Sequence, residues 1–376
     1  SYGISRRVSR WIHQHGSLCV RFTRVYFVLL RYCSYTDVVP SAGETVMGAQ
    51  FIMGYGGKGA NQCVATQFLG SRSAIVSKVG CDCFADSYLK HLNAISVNTK
   101  GIIQTSEANT GMALITVQRG RGENRIIVVP GSNMLLSTED VDHAAQAGFL
   151  DARVLLCQFE INAATTLHAL KLARCKQRMT ILNPAPPPSK APGNAELLPQ
   201  MLELCDFCCP NETEALQLIN VTMDTKSFSL EECSLSNYIK CLCWLAEKGV
   251  RYPMVTMGSE GLVALVSKSS VPPNPTRDVS VVQSIEMKGE VKCVIKLSAP
   301  PVPNVIDTTG AGDCFVGAFA HFLACHESIG IVEQLRRAVW VASKSVQKTG
   351  TQSSFPKRSE LPPALFEAAV FHWPEH

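Results

Sequence analysis

The chain predicts an α/β fold, a mostly parallel sheet with helices on both faces. Three observations carry that expectation. Short β-prone runs recur at residues 73–79, 154–158, 179–182, 207–209 and 252–256. Stretches of helical spacing separate them, long enough for the crossover that parallel strands require. Polar clusters stand where strands end, at Glu160, Asn183, residues 211–214, 256–261 and 307–313. In such folds ligands sit past the carboxyl ends of the strands.

The other elements follow in order. Residues 46–55 mix β-prone residues with Gly48 and Gly54 and suit an exposed, bulged sheet. Residues 56–70 open with glycines and continue at helical spacing to a stop at Gly70. A helix is expected at 82–92. Residues 110–117 and 124–129 alternate around Gly120-Arg121-Gly122 and predict a hairpin. Helices are expected at 139–147, 163–176 and 335–349. A proline-rich loop runs to about residue 193. Residues 268–304 read as an insertion holding one hairpin, 279–285 with 291–297. Residues 350–354 close the ordered domain, and 367–376 read as a tail.

A length of 376 residues allows one large or two modest domains. The net charge of +4 is dispersed beyond residue 31 and leaves no nucleic-acid footprint. No apolar run reaches bilayer-spanning length. The 16 cysteines lack regular spacing, and Cys205-x-x-Cys208 has no histidine at zinc distance. Ordinary reduced thiols are expected, hence a cytoplasmic setting that extends to the nucleus. Residues 1–36 carry six arginines and no acid. That composition resembles a mitochondrial transit peptide, and a disordered tail or an incorrectly assembled first exon are the competing readings. Residues 1–32 are set apart as a divergent segment, although residues 20–30 have the composition of a strand.

Two stretches carry chemistry. Asp307-Thr308-Thr309-Gly310-Ala311-Gly312-Asp313 reads as a glycine turn feeding a helix. Free N–H groups and the positive dipole end there suit an anion, or an oxygen becoming one. Asp313 makes sense as a base that takes a proton from a hydroxyl. The alternative is a first-turn acid serving its own helix. The second stretch is Gly56-Gly57-Lys58-Gly59-Ala60-Asn61. It lacks the Ser or Thr of a P-loop and the context of a dinucleotide fingerprint. Glycines, a lysine and an amide suit a polyhydroxy ligand. The alternative is a loop whose glycines serve helix packing.

These two stretches resemble the signatures of the ribokinase-type (PfkB) sugar kinases. Gln158-Phe159-Glu160, Asn183-Pro184-Ala185-Pro186, Asn211-Glu212-Thr213-Glu214 and Gly350-Thr351-Gln352-Ser353-Ser354 fit the same family in the same order, over residues 33–366. The resemblance implies a three-layer, doubly wound sheet with a small β-sheet lid at about 37–57 and 108–129. It implies phosphorylation of D-ribose by MgATP, with Asp313 as base and an anion hole from Gly310, Ala311 and Gly312. It places the sugar on Gly57, Lys58, Gly59, Ala60, Asn61, Glu160 and Asp313. It places ATP on Asn211, Thr256, Met257, Gly258, Ser259, Glu260, Gly261, Gly312 and Val339. Glu214 would be linked to magnesium. Asp307, Thr309, Ser345, Lys348, Gly350 and Ser354 would hold an activating potassium ion. The lid would pair with its twin in a homodimer, and its exposed apolar face motivates that pairing.

The chain also departs from the pattern. Counting back from Pro40, Tyr26 stands where the family has a glycine. Arg31 stands where it has the aspartate that binds two sugar hydroxyls. Val339 replaces a polar residue near the adenine. Two alternatives to a ribose kinase follow: a degenerate non-catalytic relative, or a kinase for another sugar or nucleoside.

Overall fold

The computed structural model describes residues 21–25, 28–119, 124–188, 193–222 and 233–374. The Arg-rich residues 1–20, Tyr26 and the hairpin turn at Gly120-Arg121-Gly122 lie outside the described residues. The sheet is as expected. Seven strands lie side by side and parallel: β5 (Asn98–Thr105), β4 (Arg72–Gly80), β1 (Arg21–Val25), β8 (Val154–Gln158), β9 (Met179–Asn183), β10 (Phe207–Cys208) and β11 (Tyr252–Thr256). Beyond β11, the strands β12 (Leu262–Ser267), β14 (Glu290–Leu297) and β13 (Val279–Met287) continue antiparallel. The hairpin expected within 268–304 therefore extends the main sheet.

Strand side chains point alternately to two cores. Val154 and Leu156 enter one, Leu155 and Cys157 the other. The first core is covered by α1 (Lys58–Phe68), α2 (Cys83–Ala94), α8 (Ala311–Cys325) and α9 (Ile331–Ser345). The second is covered by α3 (Thr138–Gln146), α4 (Ala163–Cys175), α5 (Asn194–Glu203), α6 (Glu212–Thr222) and α7 (Leu235–Glu247). Both faces of the sheet are thus dry, which explains its unbroken apolar strands.

Several elements differ from expectation for identifiable reasons. β5 is additional, a partly exposed edge strand whose sequence is too polar to announce itself. α5 is additional because Pro199 sits inside it and reads as a breaker. α9 runs four residues earlier than expected at both ends. Beyond it, the Val346 carbonyl is taken by the Ile306 and Asp307 N–H groups at 2.8 and 3.3 Å. Residues 367–374 do not hang free as a tail. Buried Arg337 donates at 2.7 Å to the carbonyls of Leu365 and Glu367, and also to that of Ala369. Phe371 is buried against Trp340, ring centroids 5.1 Å apart.

The lid is a second sheet in the order β3 (Gln50–Gly56), β2 (Leu29–Thr36), β6 (Gly111–Gln118), β7 (Asn124–Val129). It begins earlier than expected, and β2 runs through the boundary drawn at residues 32 and 33. Leu29, Cys33, Ala113 and Ile115 form its packed underside. Met53, Leu114 and Ile127 form an exposed cross-strand row on the other side.

Candidate active site

The two chemical motifs lie 250 residues apart in sequence and meet because α1 packs directly on α8. Gly317 permits the contact. A Cβ there would stand 2.5 Å from the Gln62 carbonyl oxygen and 2.6 Å from Ala65 Cβ. Thr66 Oγ1, 2.9 Å from the Gly317 carbonyl, ties the helices together at this crossing. The amino end of α1 is thereby set beside the amino end of α8.

Asp313 stands in the first turn of α8, 8% exposed. Its carboxylate does not serve its own helix. Oδ2 accepts from Asn61 Nδ2 at 2.9 Å, and Oδ1 accepts from Gln62 Nε2 at 3.0 Å. Gln62 is oriented in turn by Asn183 Oδ1 (3.1 Å) and Gln158 Nε2 (2.7 Å), both at strand ends. Asn183 is anchored to the Cys209 carbonyl at 2.8 Å. Each amide therefore has one allowed orientation, and the carboxylate is aimed by packing that reaches three strands.

Gly310 caps α8 at φ +79°, where an added Cβ would meet Thr351 Cγ2 at 2.4 Å. The first i→i−4 bond is Cys314 N–H to the Gly310 carbonyl, 2.8 Å. Earlier N–H groups have no intrahelical acceptor. Ala311 N–H turns onto the Thr308 carbonyl at 3.2 Å, which narrows the expected trio of donors toward Gly312. A Cβ on Gly312 would find nothing within 4 Å, so the backbone there borders open space.

Of the expected sugar loop, Gly57 caps α1 at φ +91° and Lys58 N–H donates to Glu160 Oε2 at 2.8 Å. Asn61 is buried beside Asp313. Ala60 is fully buried in the core. Gly59 is likewise buried in the first turn. Lys58 Nζ lies 3.9 Å from Glu214 Oε1. Burial opposes its charge, yet the fields of Asp313, Glu214 and Glu160 prevail and hold its pKa above the usual lysine value. Burial pushes the Glu160 carboxyl up to about 8, with Lys58 opposing and Asp313 assisting. Glu214 is raised as well, first by burial.

Asn211 and Glu214 form a reciprocal capping box on α6. Glu214 N–H donates to Asn211 Oδ1 at 2.8 Å, and Asn211 N–H donates to Glu214 Oε2 at 2.9 Å. This leaves Glu214 Oε1 directed to the Lys58 side. Thr256 bridges Asn211, and the turn from Met257 to Gly261 closes with a 2.8 Å bond. Gly258, Ser259 and Glu260 are exposed, whereas Met257 is buried. Glu260 pairs with Lys296 at 2.9 Å. Val339 is 7% exposed on the inward face of α9 and packs in the core.

Asp307 gathers the loop that precedes α8. It accepts from Thr309 N–H and Gly350 N–H, each at 2.9 Å. Burial alone would raise its pKa, but these bonds hold it below the usual carboxylate range. Ser345 and Ser354 turn their hydroxyl protons onto the carbonyls of Ala342 and Thr351, both at 2.8 Å. The Lys348 ammonium is directed away, to Glu360 at 2.9 Å. Among the described residues no group of three or more His, Cys, Asp or Glu side chains is arranged to hold a metal. Cys205 and Cys208 are buried thiols with pKa values raised by burial.

Arg31 projects from the underside of β2. Its side chain covers Gly56, which precedes the sugar loop. One guanidinium nitrogen donates to Thr351 Oγ1, the residue packed against Gly310, and another lies 3.8 Å from Cys33 Sγ. Its charge helps hold the Asp307 carboxyl down.

Gln62, Tyr88, His91, Thr351 and Gln352 join the site beyond the residues read from sequence. Gln352 Nε2 donates to Asn61 Oδ1 at 3.0 Å. Thr351 and Gln352 lie inside a quoted motif, so position alone could have flagged them, and Gln62 directly follows another. Tyr88 and His91 carry no signal beyond their i, i+3 spacing on a helix.

A family model described as "pfkB family carbohydrate kinase" matches residues 29–285 and 292–358. The match runs through most of the stretch expected as an insertion and skips only the tip of the β13–β14 hairpin. The chain is similar to ribokinase of Mus musculus, 37% identical over 334 residues, covering 89% of this chain and 91% of the relative. It is 34% identical to ribokinase of Dictyostelium discoideum, covering 87% and 94%. Deoxyribokinase of Salmonella typhi is 32% identical, covering 86% and 91%. Among solved structures, ribokinase of Giardia lamblia superposes with a TM-score of 0.72 at 26% identity, covering 90% of this chain and 97% of that one. With its two glycine loops and buried carboxylate in the expected places, the chain is an ATP-dependent sugar kinase and belongs to the PfkB family of carbohydrate kinases.

Proposed function

We propose that the chain transfers the γ-phosphoryl group of ATP to the 5-hydroxyl of D-ribose, giving ribose 5-phosphate and ADP. The observation that carries this reading is Asp313, a carboxylate at a helix mouth aimed by the two amides of the sugar loop's own helix. The relatives named ribokinase support the choice of acceptor.

Asp313 takes the hydroxyl proton as the acceptor oxygen attacks the γ-phosphorus. The new O–P bond forms as the bond to the β-phosphate oxygen breaks, and ADP leaves. Gly312 N–H and the positive end of α8 stabilise charge developing on the transferring group. Asn61, Glu160 and the Gly57–Lys58 backbone hold the sugar. Asn211, Thr256 and the open Gly258 turn hold ATP.

Glu214 Oε1 and the phosphates suit magnesium, which neutralises phosphate charge when bound. The oxygen-only donors at Asp307, Thr309, Ser345, Gly350 and Ser354 suit a monovalent cation such as potassium, which orders the loop when bound. The exposed row on the lid suits a homodimer in which two lids cover each other.

ADP release that depends on ribose, with and without potassium, tests the reading. Activity that survives Asp313→Asn removes Asp313 as the base. Arg31 favours a second reading, a relative that binds ATP without turnover or that takes another sugar. ATP binding without turnover on ribose or 2-deoxyribose supports it.

A further inference from the structure

A hydrogen-bonded chain leads from Asp313 out to the lid, and its direction is fixed at both ends. A carboxylate can only accept, so Asn61 Nδ2 must donate to Asp313 and Asn61 Oδ1 must face away. That oxygen accepts from Gln352 Nε2 at 3.0 Å. Gln352 Nε2 also donates to Tyr88 Oη at 2.9 Å. Tyr88 in turn donates to the Gly56 carbonyl at 2.6 Å, another group that can only accept. Gln352 Oε1 is therefore left facing His91 Nε2, 2.9 Å away, and that nitrogen must carry a proton. Gln352 is 4% exposed and Tyr88 fully buried, so water cannot easily replace either partner. The His91 ring is clamped from the lid by Tyr55 of β3, stacked at 4.0 Å with an 11° tilt.

We propose that His91 is a positioning residue for phosphoryl transfer: it fixes the Gln352 amide, which fixes Asn61, which aims Asp313, and Tyr55 links that order to the lid. His91 touches no substrate. Without its N–H, Gln352 Oε1 becomes a buried acceptor with no donor, a penalty that turning the amide away from its present orientation would relieve. A flipped Gln352 would present an oxygen to the Asn61 oxygen, and Asn61 would turn its donor away from Asp313. The inference rests on Asp313 being the base.

The test compares His91→Leu, which removes the donor, with His91→Gln, which restores an N–H at similar reach. His91→Leu should lower kcat roughly ten- to a hundredfold, the scale of a misplaced catalytic group, with KM for ATP unchanged. His91→Gln should recover most of the loss. Parental kcat in His91→Leu, or equal impairment in both variants, overturns the proposal in favour of simple packing against Tyr55. Crystal structures of both variants separate this from the reaction itself. Asn61 should leave Asp313 in His91→Leu and remain in His91→Gln, whatever the parent phosphorylates. An Asn61–Asp313 bond unchanged in His91→Leu overturns it. A parent that turns over no sugar, with the bond lost only in His91→Leu, instead defeats the assigned reaction.

Discussion

The two ends of the cleft are built to different standards. At the α8 end, both Asp313 oxygens have assigned donors, of which Gln62 is held by strand ends and Asn61 by Gln352. At the lid end, Arg31 reaches across Gly56 to a hydroxyl and a thiol among the described residues, and its charge acts on the Asp307 carboxylate. The contrast separates the braced end that carries Asp313 from the lid end, where Arg31 stands at the position at which the motif resemblance leads one to expect an aspartate.

The contrast breaks most directly at Asp313. Asp313→Asn should lower kcat by about 10²–10⁴ while leaving ATP binding intact, measured by steady-state kinetics and calorimetry. At the other end, Arg31→Asp offers a carboxylate to sugar hydroxyls and should lower the KM for ribose about tenfold, the scale of one charged hydrogen bond. An unchanged KM would mean that the lid end contributes little to acceptor binding. Gly317→Val should strain the α1–α8 crossing and destabilise the fold by about 1–3 kcal/mol in urea melts.

A pH dependence follows from Glu160. Its pKa is raised from 4.5 to about 8, so the folded, ligand-free protein holds the proton more tightly than the unfolded chain. The stability this contributes is full below the unfolded value and is lost as pH rises through the folded one. The melting temperature of the parent should therefore fall, relative to Glu160→Gln, between pH of about 5 and about 8.5. Parallel curves would show that Glu160 ionises normally.

The sheet and both loops were legible because they rest on local chemistry: apolar strands, glycine turns and acids at strand ends. The tie between Asp313 and Gln62 was not. It depends on how closely α1 approaches α8, and the only trace is Gly317, a breaker tolerated mid-helix. Asn211 and Glu214 read as a ligand motif, yet the same spacing is a capping box, and the structure uses it as one. The inward packing of Ala60 and Val339 was not legible, because a motif position says nothing about which way a side chain faces. The strap across α9 was invisible, since carbonyls accepting from Arg337 leave no imprint on side-chain identity.

That strap has a consequence for biosynthesis. Residues 365–371 emerge from the ribosome after the loop at 350–354, yet their carbonyls accept from the guanidinium groups on the helix leading into it. A nascent chain stalled near residue 360 would carry both glycine loops and Asp313, but Arg336 and Arg337 would keep only their carboxylate partners, Asp278 and Glu333. The loop at 350–354 should therefore set firmly only after this short stretch is translated, and a frameshift there would weaken a protein whose signature motifs are untouched.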